Sequence, residues 1–152
     1  MNFEQNMLSL GYKLPEVAKP AGSYLPAITS GNLVFTAGQI PLVEGKLAAT
    51  GKVGSEIELE KAQELARICI LNGLAAVKSE IGDLQRIRKI VKIVGFVSSD
   101  PSFTQQPQVI NGASDLLTEI FGEVGRHARS AVGVAVLPLD VPVEIELTVE
   151  FD

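Results

Sequence analysis

The chain has 152 residues, a length that fits one domain and leaves no room for two of ordinary size. Apolar residues make up 46% of it and charged residues 20%, a balance typical of globular chains and not of disordered ones. The net charge of −5 and a pI near 4.9 argue against nucleic acid as a partner, because phosphate-backbone binding needs clustered Lys and Arg.

The compartment is predicted from what the sequence lacks. No segment approaches the roughly 20 consecutive apolar residues of a membrane span, and the first residues lack the apolar run of a signal peptide. The single cysteine, Cys69, excludes an intramolecular disulfide and lies in an apolar stretch, which predicts a buried structural residue. We therefore expect a cytoplasmic protein without a membrane partner.

The chain is predicted to begin with an extension, residues 1–21, followed by one domain, residues 22–152. In the extension, Leu8–Tyr12 can form a helical turn, and Pro15 and Pro20 break any longer element. Two pairs of short strands are then predicted from apolar runs separated by turn residues. The pairs are Leu25–Thr29 with Leu33–Ala37, and Ile40–Val43 with Lys46–Ala48.

Two helices are predicted next. Ser55 and Glu58 match a capping box, in which two side chains satisfy free backbone N–H groups at a helix start, and Gly82 can end that helix. The second helix is predicted from about residue 105 to residue 121. Apolar residues that recur every three, four or seven positions predict the buried stripe of the first helix: Leu59, Ala62, Ala66, Cys69 and Ala76.

The remaining runs predict three strands. Ile87–Val97 is rich in β-branched residues, Ala131–Val136 is largely apolar, and Val143–Phe151 alternates strictly between apolar and polar residues. The order of strands, helix, strand, helix and strands predicts an α+β fold, with two helices packed on one face of a mixed sheet. Apolar residues in excess of what two helices can cover predict association through the other face: Ile93, Val97, Val134 and Val136.

Three segments in order carry a family resemblance. The first spans residues 22–41 and contains Ala37-Gly38-Gln39. The second leads from Gly82 into the strand that ends at Val97. The third combines Ala128-Arg129-Ser130, Leu137-Pro138 and Val143-Glu144-Ile145-Glu146. Together they cover about residues 22–150 and resemble the YjgF/RidA family of reactive-intermediate deaminases, in a branch with a longer N-terminus.

The resemblance implies a chorismate-mutase-like fold and a homotrimer with clefts between its subunits. It further implies hydrolysis of small 2-imino or enamino acids, such as 2-aminoacrylate, to 2-keto acids and ammonia. The substrate is then a small carboxylate, and neither a metal nor an organic cofactor is expected.

The resemblance also assigns site residues. Arg129 matches the arginine that holds the substrate carboxylate, which a planar guanidinium can bind by two parallel hydrogen bonds. Glu144 matches the glutamate that orients or activates the attacking water, as a positioned base can. The remaining expected substrate-binding residues are Tyr24, Gly38, Ala131 and Asn111, where Ala131 replaces the Cys or Thr that the family often carries.

Other interpretations of these residues stay open at this stage. Arg129 can be a surface residue or an interface ion pair, and Glu144 can be one of several solvated glutamates on its strand. His127, the only histidine, is predicted to be a loop or interface residue. As a whole, the chain can instead be a non-catalytic protein that binds a small keto acid in the same clefts.

Overall fold

The structure is a computed structural model that describes residues 2–152. Single turns of 3-10 helix occur at Leu84–Arg86, Gly122–Gly125 and Pro138–Asp140. The α-helices are α1 (Phe3–Ser9), α2 (Leu59–Ile81) and α3 (Gln106–Phe121). The strands are β1 (Ala27–Ser30), β2 (Leu33–Thr36), β3 (Leu42–Val43), β4 (Lys46–Leu47), β5 (Ile87–Ser98), β6 (Ala128–Val134) and β7 (Val143–Phe151).

Five strands form one mixed sheet in the order β1-β2-β7-β5-β6, so the last strand of the chain lies at the centre of the sheet. Neighbouring strands are antiparallel except β5 and β6, which run parallel. Strands β3 and β4 form a separate hairpin that turns at Glu44 and Gly45, as the sequence predicts. The α+β fold class with a mixed sheet is confirmed.

The two faces of the sheet differ along β7. Four alternate side chains are at most 1% exposed: Val143, Ile145, Leu147 and Val149. Helices α2 and α3 pack on this side, which we call the helix-covered face. The side chains between them, Glu144 and Glu146 among them, point to the opposite side, which we call the open face.

The expectation that Ile93 and Val97 lie on an uncovered face is wrong. Both are fully buried, and they lie opposite Leu147 and Val143 of β7 on the helix-covered face. The pairing of β5 with β7 is irregular after Ile87 and again after Ile90, and such irregularities break a strict two-residue alternation. Val134 does lie on the open face as expected, two residues after Val132 in β6, and Val136 is 62% exposed. The other apolar side chains of the open face are Ile28, Phe35 and Val132, which are 57%, 41% and 43% exposed.

Helix α2 begins at Leu59, so the capping box predicted at Ser55 is wrong. Ser55 lies in a turn, and Glu58 occupies the N-cap position without a side-chain hydrogen bond. The preceding loop is held by a bridge between Val53 and the residue after β5, which keeps Ser55 out of the helix. The predicted end of the helix is confirmed, because Gly82 follows it with a φ of 86°. The buried stripe is also confirmed in its centre, at Ala62, Ala66, Cys69 and Ala76.

The helix of the N-terminal extension lies earlier than the predicted turn at Leu8–Tyr12. Helix α1 starts after Asn2, whose side chain accepts a hydrogen bond from the backbone N–H of Gln5 at 3.1 Å. An N-cap asparagine of this kind satisfies a backbone donor that the helix leaves free. The apolar face of α1 had no visible pattern in the sequence because the helix is only seven residues long.

Helix α1 is attached to the body of the domain. The ring of Phe3 lies 4.6 Å from the ring of Phe121, and Met7 is 1% exposed. Glu4 forms an ion pair with Lys78 of α2 at 2.6 Å. The extension therefore packs on the core through its first helix, and the boundary between residues 21 and 22 stays a prediction. Along residues 2–152, no helix is long and apolar enough to cross a lipid bilayer.

Candidate active site

A cavity of about 290 Å³ brings together three of the predicted site residues, Tyr24, Gly38 and Glu144. Glu144 extends from β7 on the open face, and Gly38 lies in the segment that follows β2. This segment is held against β7 by two backbone hydrogen bonds between Gln39 and Ile145, of 2.8 and 3.0 Å. The bridge at Gln39 therefore places Gly38 beside Glu144.

The glycine at position 38 makes room for the Glu144 carboxylate. A Cβ atom at this position would lie 2.5 Å from Oε2 of Glu144 and 2.8 Å from its Cδ. Real Cβ atoms essentially never come closer than 3.0 Å to another heavy atom. Any larger residue at position 38 would therefore displace the carboxylate from the place it occupies.

The pKa of the Glu144 carboxyl group is raised above its ordinary value. Burial is the main cause, because a half-buried carboxylate loses hydration, and the negative charge of Glu146 adds to the effect. No hydrogen bond from residues 2–152 offsets these two causes. A glutamate in this environment accepts a proton more readily than a solvated one, which suits a general base.

Tyr24 contributes its ring to the cavity wall and is 50% exposed. Its hydroxyl oxygen accepts a hydrogen bond from the backbone N–H of Ala21 at 3.2 Å, and its own proton remains available as a donor. Tyr24 thereby connects the cavity to the end of the N-terminal extension.

Arg129 is not among the residues that line this cavity. Strand β6 begins at Ala128 and not at the predicted Ala131, so Arg129 is within the strand, opposite Ile93 on the helix-covered face. Its guanidinium donates to the hydroxyl oxygen of Ser114 at 3.0 Å and to the backbone oxygen of Pro107 at 3.1 Å. Both partners belong to α3, so the helix orients the arginine.

A chain of hydrogen bonds continues behind Arg129. The hydroxyl of Ser114 lies 2.9 Å from Nε2 of His127, and Nδ1 of His127 lies 2.6 Å from the carbonyl oxygen of Gly125. A carbonyl can only accept, so Nδ1 carries a proton and donates to the oxygen of Gly125. His127 lies in the loop before β6, one of the two predicted placements, and it is linked to Arg129 through Ser114.

Asn111 and Ala131 belong to the same part of the molecule as Arg129. Asn111 follows Pro107 by four residues and precedes Ser114 by three, which places the three on one side of α3. Ala131 lies two residues after Arg129 on β6, hence on the same sheet face, and it packs against the core.

The predicted site residues therefore form two groups on opposite faces of the sheet. The cavity group contains Glu144 and lies on the open face, whereas the arginine group contains Arg129 and lies on the helix-covered face. Within one chain the sheet separates the two groups. Sequence reasoning assigned all six residues to one site without this division.

Several cavity residues were not among the site residues predicted from the sequence. The lining includes residues 18–21 of the extension and Leu139 of the loop before β7. Only the folded chain brings residue 18 near residue 144. Cys69 is fully buried behind β7, and burial raises the pKa of its thiol, so the prediction of a structural cysteine is confirmed. Among residues 2–152, no group of three or more His, Cys, Asp or Glu side chains is arranged to hold a metal ion.

The comparisons with known proteins define the class. The family model described as "YjgF/chorismate_mutase-like, putative endoribonuclease" matches residues 4–151. The crystal structure of a protein of unknown function from Agrobacterium tumefaciens superposes with a TM-score of 0.92 at 46% identity, over 99% of this chain and 93% of that one. The fold is thus chorismate-mutase-like, as the resemblance implied.

Two curated relatives add to this. Protein TCP17 of Trypanosoma cruzi is 43% identical over 148 residues, which are 97% of this chain and 92% of that protein. The 2-iminobutanoate/2-iminopropanoate deaminase of Escherichia coli K12 is 33% identical over 126 residues, 82% of this chain and 84% of the deaminase. The chain therefore belongs to the YjgF/RidA family, which confirms the family predicted from the sequence motifs.

Proposed function

We propose that the protein hydrolyses small 2-imino or enamino acids to 2-keto acids and ammonia, at clefts between the subunits of a homotrimer. The observation that carries the proposal is Glu144, a half-buried carboxylate with a raised pKa that faces a cavity and is fitted against Gly38. A relative that covers most of the chain is an imine deaminase by name, which supports the same chemistry.

Arg129 holds the substrate carboxylate in this proposal. Two of its five N–H groups are engaged by Ser114 and Pro107, which leaves three donors for a ligand. A two-point contact to a carboxylate needs only two of these, and the α3 partners limit the rotation of the guanidinium. The substrate is therefore oriented by an arginine that is itself held in place.

Glu144 handles the protons. It removes a proton from water as the water oxygen adds to the imine carbon and passes that proton to the imine nitrogen, which gives a neutral carbinolamine. It then takes the proton of the carbinolamine hydroxyl as the C=O bond forms, and it passes this proton to the nitrogen as the C–N bond breaks, so that ammonia and the 2-keto acid leave. No metal, oxidant or cofactor takes part in these steps. The raised pKa of Glu144 favours a group that both accepts and returns a proton.

A single chain cannot bring both groups to one ligand, because they lie on opposite faces of its sheet. A site that uses both Arg129 and Glu144 therefore needs Arg129 from a second copy. Exposed apolar side chains on the open face, Ile28, Phe35 and Val132, favour such association. We propose the number three from the family, and sedimentation equilibrium should give a mass of three chains.

Charge and cysteine content indicate whether nucleic acid is a partner and in which compartment the protein works. The acidic chain disfavours nucleic acid, although relatives carry an endoribonuclease label. One buried cysteine and no disulfide suit the cytoplasm, which we propose as the compartment. A fission yeast relative is named as mitochondrial, so fractionation of cells should decide between the two compartments.

The first test separates binding from chemistry. Arg129→Ala should weaken binding of a 2-keto acid product by about 1.5–3 kcal/mol, roughly tenfold to more than a hundredfold, because a charge-assisted contact is lost. Arg129→Lys should restore it only in part, since an ammonium lacks the fork of donors. Glu144→Gln should leave that affinity nearly intact and lower imine turnover by roughly a hundredfold or more.

The second test asks whether two copies share a site. Arg129→Ala and Glu144→Gln subunits, each nearly inactive alone, are unfolded together and refolded as mixed trimers. Random assembly pairs an intact Arg129 with an intact Glu144 in about a quarter of the clefts. Imine turnover should therefore recover to about a quarter of the wild-type value, and no recovery would mean that Arg129 and Glu144 of two copies do not form one site.

The competing function is a protein that binds keto acids without turning over imines. The assay generates the imine in solution and follows ammonia release against the uncatalysed rate. Wild-type protein that binds the keto acid but never exceeds that rate would exclude the enzyme and favour the binder.

A further inference from the structure

The cavity beside Glu144 has one wall made by the N-terminal extension. Residues 18–21 line it, and we call them the N-terminal wall. The wall is held at two points: α1 anchors the chain before it, and the Tyr24 hydroxyl accepts the N–H of Ala21. The extension is therefore part of the candidate site and not a free tail.

The wall and the surface opposite it are mainly apolar. Ala18, Pro20 and Ala21 face a cavity that is also lined by Ile40, Leu42 and Leu139. Pro20 has no backbone N–H, so it offers no donor to a polar side chain of a ligand. The cavity volume of about 290 Å³ is near the lower end of the roughly 300–1,000 Å³ typical of small-molecule sites, and this is more space than a three-carbon imino acid needs.

Leu139 has an unusual backbone. Its φ and ψ are 60° and 16°, in the left-handed region that leucine rarely adopts because Cβ then crowds the carbonyl oxygen. Its side chain is 58% exposed, so burial in the chain's own core does not compensate for this conformation. An apolar side chain held at a cavity by a strained backbone points to a contact with a ligand.

We propose that the N-terminal wall and Leu139 form the side-chain subsite of the enzyme, and that this subsite selects imino acids with an apolar side chain larger than methyl. The inference rests on the proposed function for the reaction. It adds the substrate class and a specificity-determining role for Leu139.

Lys19 is the cationic residue among those that line the cavity, and it could instead select substrates with an acidic side chain. Its side chain is exposed to solvent and takes part in no ion pair among residues 2–152. We assign it to the mouth of the cavity, where it does not contact the side chain of the substrate.

The experiment compares imines generated in solution from alanine, leucine and aspartate by amino acid oxidases. Wild-type kcat/KM should be highest for the leucine-derived imine. Leu139→Gly should lower that value by about tenfold or more and change the value for the alanine-derived imine by less than about threefold. Ala18→Asp, which puts a negative charge into the N-terminal wall, should also lower kcat/KM for the leucine-derived imine.

Asp140→Gly is the matched control. Asp140 has a φ of 57° in the same turn but is not part of the cavity lining, so the variant relaxes the same backbone without changing the subsite. Its substrate preference should equal that of the wild type. A preference that changes equally in both glycine variants would assign the effect to the backbone and overturn the role of the Leu139 side chain.

A second readout separates this inference from the proposed reaction. The affinities for pyruvate and for 4-methyl-2-oxopentanoate are measured by calorimetry with the same variants. Tighter binding of the larger keto acid, reduced by Leu139→Gly, without any imine turnover would reject the reaction and retain the subsite. Turnover with equal preference for all three imines, or with preference for the aspartate-derived one, would reject the subsite and retain the reaction.

Discussion

Substitution of Gly38 by alanine tests the position of Glu144 most directly. The added Cβ would lie 2.5 Å from Oε2 of Glu144, whereas ordinary contact begins at 3.4 Å. The carboxylate must therefore retreat by about 1 Å, and a misplacement of about 1 Å can lower the rate of a reaction about a hundredfold. We expect imine turnover by Gly38→Ala to fall by about that factor.

The free energy of unfolding should change little in Gly38→Ala. The atom that Cβ meets is the far end of a half-buried side chain, which can rotate toward solvent. Gly73→Ala is the matched control, because its Cβ would meet only ordinary contacts, the nearest at 3.6 Å from Leu147. This control should keep its activity and gain up to about 1 kcal/mol of stability, since alanine favours a helix over glycine.

A double variant identifies the cause. In protein that already carries Glu144→Gln, the change Gly38→Ala should have almost no further effect on turnover, because both changes act through one group. The assay is ammonia release from an imine generated in solution, and urea unfolding checks the fold of each variant. Full turnover by a well-folded Gly38→Ala protein would refute the role of Glu144 at this position.

Two further predictions concern charge and orientation. Glu146→Gln removes a like charge and should lower the pKa of Glu144. Because kcat/KM falls as Glu144 becomes protonated, the acid limb of the pH-rate profile should move to lower pH. An unmoved limb would mean that another group titrates. Loss of the hydroxyl in Ser114→Ala should raise KM through Arg129, and Ser114→Thr should largely restore it, whereas equal KM values in both variants would deny Ser114 a positioning role.

Elements with strong local patterns could be predicted from the sequence. The alternation of β7 is visible because its two sides meet different environments, core on one side and solvent on the other. Gly45 predicts the β3–β4 turn because glycine readily adopts left-handed backbone, and its φ there is 79°. In such cases the local sequence and the tertiary environment impose the same structure.

Elements that depend on distant contacts could not be predicted in this way. The start of α2 is set by the bridge at Val53 and not by the polar residues that resemble a cap. The faces of β5 depend on two irregularities in its pairing with β7, which leave no mark in its composition. Helix α1 is stabilised by Phe121 and by other residues that come more than 70 positions later.

The same limit applies to the candidate site. Family motifs identify Arg129 and Glu144 one by one, but nothing in the motifs says that the two side chains lie on opposite faces of one sheet. The proposed role of Ser114 depends on the packing of α3 against β6, and that of Leu139 depends on a backbone conformation that leucine rarely adopts. These residues become visible only in three dimensions.

The central place of β7 has a consequence for how the chain folds. Among the strands of residues 2–152, β7 is synthesised last, and both β2 and β5 pair with it, so neither has its inner neighbour until residue 151 has been added. The hydrogen bond from Asn6 to Ile120 also joins residues 114 positions apart, so the N-terminus docks late. A prematurely terminated chain would expose two unpaired strand edges that can recruit other chains into aggregates. A chain that stops before β7 would also lack Glu144, the residue that we propose as the general base.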